Sequence, residues 1–391
     1  MKVWRNLIIG LAVFICLWAG VDFYLSSEIK KNYDNTIDSA YGQIRKDQST
    51  VLQQTSLDRG DVLVLGSSEL SLFLEQNVKN FFPTKQFPHY ANIIGRTSVQ
   101  SMEHSMNIAS LDFSKNEKVV YLVSYGWFLI DSVDPDGFYA NFSKNKFYNY
   151  MADFSVPDEQ KIYVASRISD LTRTHKNTED IDAWAYAELC KKCSFALPVI
   201  EAVSYPYLML EQAILNTKDK ATSLTYLKEQ GPNENEVLKD KDWEKEYQKA
   251  DSQGIAMVKN NPFYFDDRFT SEVAPVLATQ KNIDASMNLE ISQEFKDYEV
   301  FLQTCKRKNI KPLIIIESVN GWYLDYRGVD KEKRDALYSR LSKMATDYGF
   351  TVYDMSDLEY TPYTYYDIWH LGWRGWLYVD QKIAEYFGEN S

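Results

Sequence analysis

Asp61-Val-Leu-Val-Leu-Gly66-Ser67-Ser68-Glu69-Leu70 is the stretch on which the reading turns. Val62 to Leu65 is an unbroken, partly β-branched apolar run, the pattern of a strand buried on both faces. Gly66 lets the chain turn tightly where the strand stops. Ser68 then stands at the start of the next element, where a helix N-terminus favours developing negative charge. A serine in that place is ordinarily a cap, so a chemical role requires a partner from elsewhere in the chain.

Working outward, four further runs read as buried strands bounded by turn formers: His89–Gly95, Lys118–Tyr125, Pro312–Ser318 and Phe350–Met355. Helical patterns alternate with them, at Leu70–Asn80, Val99–Asp112, Glu294–Asn309, Asp330–Tyr348 and Trp373–Phe387. Alternation of this kind argues for an α/β chain with a mostly parallel five-stranded sheet covered by helices on both faces, three layers in all. Residues 140–290 break the rhythm. They are long, polar and helical in pattern, with Asn-Asn-Pro-Phe at 260–263 as a break, and read as an insertion over one end of the sheet. It would serve either as a lid, since ligands bind beyond the carboxyl ends of such strands, or as a stabilising appendage.

The required partner is at the other end of the chain. Tyr365-Tyr366-Asp367-Ile368-Trp369-His370-Leu371-Gly372-Trp373 places an acid and a histidine three residues apart, just before the last helix. The carboxylate of such a pair fixes the imidazole tautomer and leaves the other ring nitrogen to take a proton from a serine. Histidine is scarce: His89, His104, His175 and His370 are the four in 391 residues. Ser68 as nucleophile with Asp367 and His370 as acid–base pair is therefore the candidate catalytic set.

The remaining composition mostly excludes. A formal net charge of −12 opposes nucleic-acid binding through the global field. No glycine-rich phosphate loop occurs, and the histidines do not cluster with Cys or acidic ligands, so neither a metal nor a cofactor is expected. Cys190-Lys-Lys-Cys193 is a single CxxC with no second ligand pair. It is read as inert thiols or a local disulfide rather than a redox or zinc site.

The start of the chain is an address. Residues 7–21 carry no charge, Lys2 and Arg5 precede them, and Asp22 follows. That is long enough to approach a bilayer span and orients the N-terminus inward and the rest outward. A cleaved signal peptide is the alternative, and it too puts the domain outside. The expected organisation is an anchor at 1–25, a helical or irregular stalk at 26–60, and a catalytic domain at 61–391.

Together these residues resemble the SGNH (GDSL-like) hydrolases and, more closely, the DltD family of teichoic-acid D-alanylation. The carrying stretches are Leu65-Gly-Ser-Ser-Glu-Leu-Ser71, Gln100-Ser101, Trp127-Phe128, Asn261-Pro262-Phe263, Val319-Asn320-Gly321-Trp322-Tyr323 and Asp367 through Trp376. The resemblance runs from the anchor to the C-terminus. It implies transfer of D-alanine to lipoteichoic acid at the outer membrane face of a Gram-positive cell. It also implies a membrane-bound O-acyltransferase as partner, together with that enzyme's small acyl-relay protein, and it assigns the nucleophile to Ser68.

Two stretches depart from the family pattern. Its Gly-x-x-Gly-x-Gln-Ser reads Gly95-Arg96-Thr97-Ser98-Val99-Gln100-Ser101 here, and its Ser-Pro-Gln-Trp-Phe reads Ser124-Tyr125-Gly126-Trp127-Phe128. Both lie at strand ends where an oxyanion hole would be built, making Gly95, Ser98, Gly126 and Trp127 candidates for that role or for substrate contact. A backbone N–H survives any substitution but proline, whereas the glutamine side chain is lost, and one oxyanion donor is worth about 10²–10³ in rate. Arg96 and Arg374, beside the motifs, are candidates for holding acceptor phosphate. The same three side chains also suit an esterase or thioesterase acting on surface esters, and a non-catalytic scaffold presenting polymer to the membrane enzyme is the third reading.

Overall fold

The five runs each contain one strand. Four are buried almost throughout, since largely apolar residues are buried most cheaply in a covered sheet, but the fifth, Thr351–Asp354, carries polar side chains and is only half-buried, at the sheet edge. The computed structural model describes residues 2–388 apart from 177, 231–237 and 260. Its strands are β1 (Val62–Leu65), β2 (Ala91–Ile94), β3 (Val119–Ser124), β4 (Leu313–Glu317) and β5 (Thr351–Asp354). They form one sheet of order β2-β1-β3-β4-β5 in which every pair is parallel. The fold is mixed α/β, as the alternation indicated.

In chain order the helices are α1 (Lys2–Asn32), α2 (Ile44–Asp47), α3 (Thr50–Arg59), α4 (Val78–Phe81) and α5 (Ser101–Ala109). After β3 comes α6 (Pro135–Tyr139), and the insertion supplies α7 (Lys144–Ala152), α8 (Asp158–Leu171), α9 (Ile181–Lys192), α10 (Leu197–Gln230), α11 (Trp243–Met257) and α12 (Asp267–Leu277). The chain closes with α13 (Glu294–Arg307), α14 (Gly321–Arg327), α15 (Lys331–Asp347) and α16 (Trp373–Gly388). Tyr121 of β3 reaches α5 through Ser101 Oγ (2.8 Å) and α13 through the Phe301 ring (4.5 Å), and Arg340 of α15 lies over Phe295 of α13. Those three helices share one face. On the other, α4 and α11 pack against α16, and Lys382 of α16 lies over the Tyr353 ring of β5.

One expected helix is not there. In place of Leu70–Asn80, the chain makes a single 3₁₀ turn, Ser68–Ser71, then runs irregularly to the four-residue α4. The cause is local. Asn77 Nδ2 donates to the Glu69 carbonyl (3.4 Å) and Asn77 Oδ1 accepts from Lys79 N (3.3 Å), so a side chain serves backbone groups that a continuous helix would have paired. Little helix dipole is therefore available at Ser68.

Residues 33–59, expected within a stalk, are packed. Tyr33, Ile37, Leu52 and Lys46 are all buried, and Lys46 Nζ donates to the Ile93 carbonyl of β2 and to the Asp38 carbonyl (3.2 Å). Asn260, at the expected break, lies outside the described residues. The rest of that break closes on itself, with Asn261 Oδ1 accepting from Phe263 N (3.2 Å) and Phe265 N (3.0 Å).

Candidate functional site

The carboxyl ends of β1, β2 and β3 form the floor of the site. After β1, Gly66 and Gly95 approach so closely that a Cβ on Gly95 would collide with the Gly66 carbonyl. Only glycine permits that contact, and it seats the Ser67–Ser68 turn against the end of β2. Ser67 Oγ reinforces it by donating to the Arg96 carbonyl (3.1 Å), and Ser67 N donates to the carboxyl of Glu69.

The loop before α16 comes over this floor. Tyr366 N donates to the His370 carbonyl (2.9 Å) and Gly372 N to the Thr364 carbonyl (2.6 Å), pinching residues 364–372 into a narrow loop. A Cβ at Gly372 would lie 2.7 Å from the Tyr365 carbonyl carbon, so the pinch also depends on a missing side chain. Within the loop Asp367 Oδ1 accepts from Trp369 N (2.8 Å) and His370 N (2.9 Å), while Oδ2 accepts from His370 Nδ1 (2.7 Å). With the proton on Nδ1, Nε2 is the acceptor, and Ser68 Oγ lies 3.0 Å from it.

Ser68, His370 and Asp367, 302 and 3 positions apart, thus stand in one hydrogen-bonded chain. Burial disfavours the imidazolium of His370. The hydrogen bond and charge of Asp367, with Glu69 behind, outweigh that and hold His370 above its ordinary value. Chemically the arrangement can deprotonate a serine hydroxyl and return the proton to a leaving group.

A family model described as "DltD protein" matches residues 40–388. The chain belongs to the DltD family. Protein DltD of Bacillus subtilis (strain 168) is 28% identical over 328 residues, spanning 83% of this chain and 81% of that protein. Protein DltD of Staphylococcus aureus (strain NCTC 8325 / PS 47) is 25% identical over 310 residues, 76% of this chain and 74% of the relative. Protein DltD of Lacticaseibacillus rhamnosus is 24% identical over 336 residues, 82% and 76% of the two chains.

Two of the stretches that carry the DltD resemblance, residues 261–263 and 319–323, meet beside the loop. Asn320 Nδ2 donates to the Phe263 carbonyl (2.7 Å), and the Phe263 and Tyr323 rings stand edge to face at 5.3 Å. Tyr264 packs on Trp322 (4.7 Å) and Tyr363 (6.0 Å), and Asp266 N donates to the Tyr366 carbonyl (3.0 Å). The insertion therefore buttresses the Asp367–His370 loop from outside.

The other candidates fall in three places. Gly95 is at the floor. Ser98 sits in a turn closed by Val99 N to the Arg96 carbonyl (3.0 Å) and has a φ of +70°, a conformation that favours glycine. Gly126 and Trp127 lie in a 3₁₀ turn, Tyr125–Leu129, after β3; a Cβ at Gly126 would be 3.3 Å from the Trp369 ring, so this turn borders the His370 loop. The arginines are committed elsewhere. Arg96 pairs with Asp47 (3.4 Å) and donates to the Ala140 carbonyl (2.9 Å), and Arg374 grips both oxygens of Asp251 at 2.6 and 2.7 Å. An acceptor phosphate would have to compete with those carboxylates. Cys190 and Cys193 are free thiols, and burial pushes Cys190 up to about 11.

Sequence reasoning passed over three buried groups at the site. His104 Nε2 lies 2.9 Å from the Gly66 carbonyl. Glu69 is raised by burial, against the amides it accepts from and the charge of His370. Glu317, at the end of β4, is held well above the carboxylate range by burial and then by Glu69, and neither of its oxygens has a hydrogen-bond partner. Glu69 adjoins Ser68 in the motif, and His104 is one of only four histidines. Those were the available signals.

Proposed function

We propose that this DltD-family chain is a serine-dependent acyltransferase that moves D-alanyl groups onto hydroxyls of lipoteichoic acid outside the cell. The hydrogen-bonded chain from Ser68 Oγ through His370 to Asp367 is the observation that carries the reading. In the first half-reaction Ser68 Oγ attacks the acyl carbon of an activated ester or thioester. His370 Nε2 takes the hydroxyl proton and delivers it to the departing group, leaving an ester on Ser68. In the second half-reaction a polymer hydroxyl attacks that ester, its proton passes to Nε2, and Ser68 is released with the proton restored.

The helix Val3–Asn32, with a window of mean hydropathy 2.1 that is 0% buried, supports a retained single-pass anchor with its N-terminus inside. A membrane-bound O-acyltransferase with its small relay protein is the proposed acyl source.

The test is polymer-bound D-alanine in cells lacking the native protein, complemented with wild type or Ser68→Ala. Restoration by wild type alone supports serine-dependent transfer. Equal restoration by a stably produced Ser68→Ala would overturn it in favour of a scaffold, and release of free D-alanine in place of polymer ester would make the protein an esterase.

A further inference from the structure

The direction of α1 relative to the sheet decides which end of the domain meets the membrane. α3 hands its last residue almost directly to β1, so it runs against the strands. Its start lies at their carboxyl ends, where Asp47, just ahead of it, pairs with Arg96 beyond β2 (3.4 Å). The C-terminal end of α1 is fastened at the opposite end. The Arg59 guanidinium at the end of α3 lies 5.4 Å from the Tyr33 ring centroid, and Tyr33 itself donates to Asp38, which shares Ser56 with the Asp61 that opens β1.

Eleven residues earlier, Asp22 bonds Lys220 (2.6 Å) on α10. That turn of α10 is tied to the start of α3, through Asp219 Oδ2 accepting from Val51 N (3.1 Å) and Ser223 Oγ against Ser49 Oγ (3.0 Å). α1 therefore runs alongside α3, against the strands. From Tyr33 back to Asp22 it climbs about 16 Å at 1.5 Å per residue, comparable with α3 itself, which brings Asp22 to the height of the strands' carboxyl ends. The uncharged run 7–21 continues past them on the side of Ser68.

That end of the domain carries apolar side chains that the fold leaves uncovered. Phe73, just after the Ser68 turn, is 96% exposed; Trp369, beside His370, is 41% exposed; and Ile130, after the Gly126 turn, is 40% exposed. They stand on three separate loops around the hydrogen-bonded serine.

We propose that the catalytic mouth faces the bilayer that holds α1, with Phe73, Ile130 and Trp369 seated in the lipid headgroup region. This rests on the reading of Ser68 as the reactive site and deepens it. Ser68 is then approached from the plane of the headgroups and not from bulk solvent. Aromatic and aliphatic side chains on loops are stabilised in that interfacial layer.

The test measures depth and is independent of catalysis. The full chain, with Cys16→Ser and Cys193→Ser, is placed alone in nanodiscs of equal parts phosphatidylglycerol and phosphatidylcholine. Nitroxide labels are attached at Phe73→Cys, at Ile130→Cys and, separately, at Phe195→Cys. Phe195 is the reference for the far end. α10 runs antiparallel to α7, with Tyr205 near Phe154 (5.1 Å) but Asn216 near Asn145 (2.9 Å), and α7 begins close to Asp47, where Lys146 Nζ donates to the Asp47 carbonyl (2.7 Å). The expected result is several-fold greater relaxation by oxygen relative to a water-soluble nickel chelate at 73 and 130 than at 195. Equal nickel access at all three positions would overturn the proposal, showing a mouth covered by a protein partner or by nothing. Protection at 195 in place of 73 would overturn it by reversing the orientation. Neither result bears on whether Ser68 is acylated.

Discussion

His104 Nε2 lies 2.9 Å from the carbonyl oxygen of Gly66, two residues before Ser68. A carbonyl only accepts, so the ring nitrogen carries a proton, and the buried ring has no charge to spare. Burial pushes His104 down to about 3 against the opposing pull of that carbonyl. The imidazole edge also meets the Tyr121 ring at 5.1 Å, and Tyr121 is tied through Ser101 to Glu294. A neutral histidine thus holds the backbone of the turn that presents Ser68.

The first prediction follows from that linkage. Unfolded histidine titrates near 6.5, whereas His104 in the fold titrates at about 3. Between those values the unfolded chain binds the extra proton, so this contribution to stability is full above about pH 6.5 and is lost as pH falls towards 3. Denaturant titrations across this window should show His104→Gln taking up one proton fewer on unfolding than wild type. An unchanged pH slope would remove His104 from the account.

The second concerns the base. Because His370 is raised, the acid limb of a rate–pH profile should lie above the ordinary histidine value of about 6.5. Asp367→Asn deletes the charge that raises it, and should move the limb to lower pH while reducing kcat by about 10³–10⁴. Stopped assays on a small D-alanyl ester at several pH values check both. A limb that stays in place in Asp367→Asn contradicts the assignment.

Glu69 gives a third. Its carboxyl accepts the Ser67 amide and adds to the field on His370. Glu69→Gln keeps an acceptor and loses the charge, so most of the rate should survive with the acid limb shifted slightly down. Glu69→Ala frees the turn, and a misplacement of about 1 Å at a nucleophile can cost about 10². The contrast between the two variants in kcat is the measurement.

A fourth tests backbone strain. Ser98 holds φ at +70°, which costs an L-residue roughly 1–2 kcal/mol, partly offset by the freedom glycine loses on folding. Ser98→Gly should stabilise the domain by about 0.5–1 kcal/mol, read as a higher urea midpoint with an unchanged m-value.

The sequence by itself determined the sheet and the identities of the three candidate reacting groups. Strands at Val62–Leu65 and Leu313–Glu317 were legible because a run of apolar residues can be satisfied in few other ways. Asp367 and His370 were legible because three residues of separation already place them within reach. Ser68 was legible as a serine at a strand end, but its partnership was not, because 302 positions separate it from His370 and only the fold, which brings the loop before α16 over the turn after β1, closes that gap. The absent helix after Ser71 escaped because a side chain, Asn77, competes for backbone groups in a way that periodicity does not register. The engagement of Arg96 with Asp47 and of Arg374 with Asp251 was likewise invisible, since ion pairs 49 and 123 positions apart leave no local pattern. The direction of α1 against the sheet was decided last of all, by contacts of Tyr33 and Asp22 with distant elements, because a helix carries no local record of which neighbour it will lie beside.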